Sequence, residues 1–189
     1  ANVTVLHADG RLTGFDTGPA NCLLDAWAMR HRGTARDDGG AWAAQGRVMP
    51  DLLAALLREP YFAAAPPKST GRELFNLDWL DTQPLAGLAP VDVQATLVQL
   101  TARSVTDAIH TYAPGATDVL ACGGGVHNSI LMHALSEALA PLRLASTYGL
   151  FAVMTTTRPE LTIEGTVDGT EWRPYVFRWK PGPLDRRPP

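Results

Sequence analysis

An α/β fold is predicted by three features of the sequence. Two strand-like runs, residues 3–6 and 11–15, flank His7-Ala8-Asp9-Gly10, whose Asp-Gly pair is a hairpin signal. A long helical period covers 91–112, with Val91, Ala95, Val98, Ala102, Val105 and Ile109 on one stripe. A short apolar run at 117–121 then leads through Gly123, Gly124 and Gly125 into a further helical period ending at about Leu139, so that strand, glycine turn and helix follow in order.

The opening hairpin runs into Gly14-Phe15-Asp16-Thr17-Gly18-Pro19-Ala20-Asn21, a turn with a carboxylate at its centre. From Pro19, a residue suited to a first helical turn, Leu23, Leu24, Trp27 and Ala28 recur at helical spacing up to His31. Residues 33–40 are polar and glycine-bearing, hence a loop, and 41–47 fit a short helical turn. Met49-Pro50-Asp51 opens a helix with Leu52, Leu53, Leu56 and Leu57 on one side, which should stop before Pro60. Residues 142–145 add one more short strand.

A length of 189 residues with 46% hydrophobic content is enough for one good core and leaves one or two domains open. A net charge of -3 and a pI near 5.9 argue against nucleic-acid binding through the overall field. Cys22 and Cys122 each adjoin a glycine-rich turn rather than forming a spaced framework, so a reducing, cytoplasmic setting is expected. No metal-ligand spacing, basic-then-apolar leader or bilayer-length apolar run is present, and a soluble chain without membrane contact is expected. Because Ala1 already lies in a strand-like run, the natural start is expected upstream.

Three stretches could carry chemistry. Small residues and a proline around Asp16 allow a ligand close to the backbone, although Asp, Thr and Gly are also ordinary helix-cap and turn residues. Gly123, Gly124 and Gly125 at a strand-to-helix turn suit either main-chain contact with a phosphate or ring, or tight packing. The segment 66–76 concentrates Lys68, Ser69, Thr70, Arg72 and Glu73 in a proline-entered turn, which is either near a site or a solvated loop with a Ser or Thr cap and a Glu three or four positions on. His127 and His133 have no carboxylate or cysteine at ligand spacing and are expected at the surface or in caps.

After Thr147 the composition shifts from Ala and Leu toward Thr, Arg, Glu, Trp and Pro. Residues 161–165 and 172–179 alternate as strands around the turn signal Val167-Asp168-Gly169-Thr170, which predicts a β-hairpin carrying Trp172, Tyr175, Phe177 and Trp179. The expected organisation is 1–147, a hairpin segment at 148–180, and a disordered tail at 181–189.

Taken together, Ala1-Asn2-Val3-Thr4, the turn from Gly14 to Asn21, Lys68-Ser69-Thr70-Gly71-Arg72-Glu73 and Cys122-Gly123-Gly124-Gly125-Val126-His127-Asn128 resemble the anhydro-N-acetylmuramic acid kinase family over roughly residues 1–147. The resemblance implies most of the C-terminal lobe of an actin-like ATPase (sugar kinase) fold. It also implies a bacterial cell-wall recycling enzyme that uses ATP and Mg²⁺ to open 1,6-anhydro-N-acetylmuramic acid to the 6-phosphate, and it leaves room for a homodimer. In that family the aspartate of the Phe-Asp-Thr-Gly-Pro motif is the general base, a role that falls on Asp16. The resemblance makes Thr17 and Gly18 phosphate contacts, Gly123, Gly124 and Gly125 the nucleotide turn, and Lys68, Thr70 and Arg72 structural or near-site residues.

Because the resemblance begins within the C-terminal lobe, the family's N-terminal lobe with its phosphate loop is expected to be missing. Beyond Thr147, the run from Tyr148 to Thr156, Arg158-Pro159-Glu160 and Arg178-Trp179-Lys180-Pro181-Gly182 resemble the lipase maturation factor family, membrane proteins with a β-rich soluble part. The expectation is therefore an incomplete kinase lobe followed by a segment of different origin, arising from a mispredicted frame, an assembly join or a fusion. Such a chain would be weak or inactive as a kinase; the alternative is a non-catalytic domain with at most weak nucleotide binding.

Overall fold

The computed structural model describes residues 1–140, 142–145, 164–165, 170 and 173–174, and the chain divides into two compact units, Ala1–Ala152 and Val153–Pro189. The first unit opens with β1 (Asn2–Leu6) paired antiparallel with β2 (Leu12–Asp16), in a register that sets Asn2 opposite Asp16 and Leu6 opposite Leu12. Gly10, at φ 84°, takes the left-handed conformation the connecting turn requires, and Asp9 Oδ1 accepts the Arg11 N–H at 3.0 Å.

The centre of this unit is α5 (Pro90–Tyr112). Residues 91–112 were expected to bury one stripe, but the helix is covered on most sides: α1 (Asn21–Arg32), α2 (Pro50–Leu56), α6 (Ser129–Ala138) and β1 all pack on it. Within the expected stripe Ala95, Val98, Ala102 and Ile109 are buried, whereas Val91 and Val105 are half-buried. Thr96, Thr101, Ser104 and Thr106 are buried as well, and each hydroxyl donates back to a carbonyl of the preceding turn, which removes the cost of an unpaired polar group. A one-stripe helix read from apolar residues alone misses these positions.

The core joins Leu23, Leu24 and Trp27 of α1, Leu52 and Leu56 of α2, Leu97 and Leu100 of α5, and Leu131 and Leu135 of α6, with Phe75 from the segment before α4 (Leu77–Asp81). At roughly 1.5–3 kcal/mol for each fully buried large apolar side chain, this cluster outweighs any surface pairing. Trp27 also donates its indole N–H to Pro90 O at 2.8 Å, tying α1 to the start of α5. As expected, Pro50 starts α2 and the helix is over before Pro60; α3 (Pro60–Ala63) and α4 (Leu77–Asp81) are short additions between α2 and α5.

β3 (Asp118–Leu120) and β4 (Arg143–Ala145) pair in parallel, with Val119 opposite Leu144, and α6 is the crossover between them. This β-α-β arrangement places the glycine turn at the C-terminal end of β3.

In the second unit, β5 (Glu164–Gly165) and β6 (Arg173–Pro174) pair antiparallel, with Glu164 opposite Pro174. The rest of the expected hairpin, including Trp172, Tyr175, Phe177 and Trp179, lies outside the described residues, as do the expected boundary at 147 and the tail at 181–189.

Candidate functional site

Asp16 ends β2, and the segment from Tyr61 to Thr70 grips both its main chain and its side chain. Its N–H donates to Lys68 O at 3.1 Å, and its carbonyl accepts the Tyr61 hydroxyl at 2.8 Å. Carboxylate Oδ2 accepts the Ser69 hydroxyl at 2.8 Å and the Thr70 N–H at 3.0 Å. Among the described residues Oδ1 accepts no hydrogen bond. The Thr70 N–H and then the Ser69 hydroxyl hold this carboxyl below the ordinary carboxylate range, against a smaller opposing effect of burial, so Asp16 is ionised at neutral pH.

The gripping turn is itself anchored. Lys68 Nζ donates to Tyr61 O at 3.0 Å and Phe62 O at 3.3 Å and lies 4.8 Å from the Tyr61 ring centroid. Its ammonium thus satisfies carbonyls of α3, and burial lowers its pKa. Asp16 opens onto a 330 Å³ cleft together with Thr4, Gly14, Lys68 and Ser69.

Neither Asp16 nor Ser69 nor Thr70 acts as a helix cap. The residue preceding α1 is Ala20, with no side-chain capping bond, and the cap of α4 is Asn76, whose Oδ1 accepts the Trp79 N–H at 2.9 Å. The capping-box reading of Ser69, Thr70 and Glu73 fails because the first two turn toward Asp16.

Thr17 is buried, with its N–H 2.8 Å and its hydroxyl 3.4 Å from Ala1 O. At Gly18 a Cβ would lie 2.9 Å from Phe62 Cε1 and 3.1 Å from Ser104 Oγ, so the missing side chain lets this turn pack on α5. Ala20 then takes φ 50°, ψ -135°, a conformation unfavourable for a residue with a Cβ.

The glycine turn differs from that close packing. Gly123 has φ 85° with nothing within 4 Å of a Cβ position, while a Cβ on Gly124 would meet Asn21 Nδ2 at 3.7 Å and one on Gly125 would meet Leu131 Cδ2 at 3.5 Å and Asn21 Oδ1 at 3.9 Å. Asn21, five residues after Asp16, therefore brings the end of the Asp16 turn beside Gly124. Asn128 closes the glycine turn by accepting the Leu131 N–H at 3.0 Å as the cap of α6. His127 is exposed, and His133 has a carboxylate neighbour after all: its Nε2 lies 3.4 Å from Glu137 Oε1 one helical turn on.

Asp25 on α1 is half-buried, and burial raises its pKa despite the nearby positive charges of Arg36 and Arg72. Cys22 and Cys122 are free thiols, the first donating to Phe75 O at 3.6 Å. Among the described residues no group of three or more His, Cys, Asp or Glu could hold a metal ion, and no helix is long and apolar enough to cross a membrane. Sequence reasoning gave no role to Tyr61, or to Ser69 and Asn21 within the motifs that contain them. Ser69 carried a signal in the polar density of 66–76; Tyr61, inside an aromatic run after Pro60, carried none.

The family model for anhydro-N-acetylmuramic acid kinase matches residues 1–154, a span that contains both turns and the Lys68–Thr70 grip. The chain belongs to this family. It is 54% identical over 157 residues to an anhydro-N-acetylmuramic acid kinase from Burkholderia orbicola (strain AU 1054), covering 79% of this chain and 41% of that protein. Proteins of the same name from Cupriavidus metallidurans and Nitrosomonas europaea are 50% identical over 160 residues and 47% identical over 149 residues, covering 81% and 79% of this chain and 42% and 41% of those proteins. The chain thus spans about two fifths of the length of the curated relatives it matches. A second family model, the lipase maturation factor C-terminal domain, matches residues 144–189. The kinase family implies a sugar-kinase, actin-like ATPase fold, and the described chain is accordingly mixed helix and strand.

Proposed function

We propose that residues 1–147 are most of the C-terminal lobe of an ATP-dependent kinase that opens 1,6-anhydro-N-acetylmuramic acid and phosphorylates O6, in the recycling of peptidoglycan in the cytoplasm. The observation that carries this reading is an ionised Asp16 held through one carboxylate oxygen at an open cleft, within the turn that the family match covers. In the proposed reaction a water oxygen bonds to the anomeric carbon while its proton passes to Asp16. The bond from that carbon to the bridging oxygen breaks, and the released O6 bonds to the γ-phosphorus of ATP as the β,γ bridge breaks to give ADP.

In this reading Gly123, Gly124 and Gly125 lie beside the nucleotide, since the space above Gly123 leaves its main chain approachable. Thr17 and Gly18, expected from the sequence as phosphate contacts, are instead buried against Ala1, Phe62 and Ser104 and would act by fixing the turn that carries Asp16. Mg²⁺ would supply neutralisation of the phosphate charge; with no three-residue cage among the described residues, it fits as a metal carried by the nucleotide. Residues 148–189 belong to a segment of different origin in this reading, which the separate family match over 144–189 supports.

Incubating the chain with ATP, Mg²⁺ and the anhydro sugar tests the proposal. Release of phosphosugar is expected to be slow, because phosphoryl transfer depends on positioning by both lobes, and to fall roughly a hundredfold or more in Asp16→Asn. Equal release from the two proteins removes Asp16 from the role.

The coverage of only about two fifths of each relative favours one second reading, a non-catalytic domain with at most weak nucleotide binding through the glycine turn. Calorimetry with ATP separates the two: no heat at millimolar nucleotide leaves the turn a structural element.

A further inference from the structure

We propose that Ser69 is a positioning residue for Asp16: its hydroxyl, together with the Thr70 N–H, holds Oδ2 and so presents Oδ1 as the oxygen that takes the proton. The inference rests on the reading of Asp16 as the proton acceptor. A carboxylate turns easily about its last torsion, and its two oxygens are otherwise interchangeable. Two donors on one oxygen, at 2.8 and 3.0 Å, break that equivalence, and both come from a turn that is fixed independently of them. Lys68 O receives the Asp16 N–H, Lys68 Nζ is bonded to the carbonyls of Tyr61 and Phe62, and Tyr61 returns to the Asp16 carbonyl. Main chain and side chain of Asp16 are therefore held from the same direction, with Oδ1 the oxygen left over among the described residues.

Of the two donors only the Ser69 hydroxyl can be deleted by substitution. Ser69 is exposed, so its truncation opens no cavity, and the anchors of the turn remain. The other charged or titratable side chains around the carboxylate are the Tyr61 phenol and the Lys68 ammonium, which points to the α3 carbonyls. None of them is altered at Ser69.

The test is titration of the Asp16 carboxyl carbon by NMR in the full isotope-labelled chain and in Ser69→Ala and Ser69→Thr, each checked for an unchanged thermal melt. Ser69→Ala is expected to titrate at higher pH than the parent, and Ser69→Thr, which keeps a hydroxyl, to return toward it. Identical curves for the parent and Ser69→Ala overturn the proposal. So does an upward shift that Ser69→Thr fails to reverse, because that outcome reports a disturbed turn. In the phosphosugar assay, Ser69→Ala is expected to lower kcat roughly tenfold at unchanged KM and to move the acid limb of the pH profile upward. If Asp16→Asn shows that Asp16 is not the base, the titration still decides whether the hydroxyl orients the carboxylate, and only the assignment of Oδ1 as the reacting oxygen falls.

Discussion

The Tyr61 hydroxyl donates a 2.8 Å hydrogen bond to the main-chain carbonyl of Asp16, 45 residues earlier, at the point where β2 ends and the chain turns toward α1. Tyr61 makes this bond while its ring packs edge-on against Phe75, with centroids 5.6 Å apart, so one side chain joins the aromatic core to the Asp16 turn. Tyr61→Phe keeps the ring packing and deletes the bond. A loss of about 1 kcal/mol is expected in urea unfolding; no loss means that the carbonyl is equally well satisfied by water.

The direction of the Asp16 shift sets a pH dependence. Its folded pKa lies below the unfolded value, so it contributes stability that is fully present above the unfolded pKa and is lost as pH falls through the folded one. Stability measured from pH 7 down toward pH 3 should therefore decline less steeply in Asp16→Asn than in the parent. Parallel curves would show that the grip on Oδ2 does not persist in solution.

Asp25 should behave in the opposite sense. Burial raises its folded pKa above the unfolded value, so stability is greatest when it is protonated and falls as pH rises through the folded pKa. Asp25→Asn is expected to raise the melting temperature at pH 7, with the gain vanishing in acid. A lower melting temperature at pH 7 would mean that Arg36 and Arg72 stabilise the carboxylate by more than burial costs.

Ala20 holds a conformation, φ 50° and ψ -135°, that glycine tolerates and alanine does not. Ala20→Gly should stabilise the chain by about 1 kcal/mol, or roughly 2–4 °C in melting temperature, because relief of strain exceeds the added entropy of the unfolded chain. A fall in melting temperature would count against this turn geometry.

Gly18 and Gly123 are expected to fail differently. Gly18→Ala drives a Cβ against Phe62 and Ser104 and should cost roughly 1–3 kcal/mol through overpacking. Gly123→Ala meets open space and should cost about 1 kcal/mol through its positive φ alone. Restoring room with Phe62→Leu should recover stability in the first variant and leave the second unrelieved.

The opening hairpin, the helices after Asp16 and Pro50, and the strand, glycine turn and helix around Gly123 were legible because each rests on local signals: Asp-Gly, a proline at the first helical turn, and apolar spacing. The burial of α5 on most of its sides was not legible. Thr96, Thr101, Ser104 and Thr106 are polar in any count of composition, and only the elements packed over them turn their hydroxyls back onto the helix. The 66–76 turn showed its density of polar groups but not their target: Ser69 and Thr70 turn toward a residue more than fifty positions away.

By itself the sequence determined the α/β class, the family and the presence of a carboxylate in a small-residue turn, because motif order and hydrophobic period are properties of the chain read along its length. The tertiary structure alone decided that this carboxylate is not a helix cap. A lone Asp between a strand and a helix could equally cap the helix, and that ambiguity ends only when the Tyr61 to Thr70 segment folds back on it. Hydrogen-bond partners distant in sequence then hold one oxygen of Asp16 and keep the group ionised at the edge of the cleft.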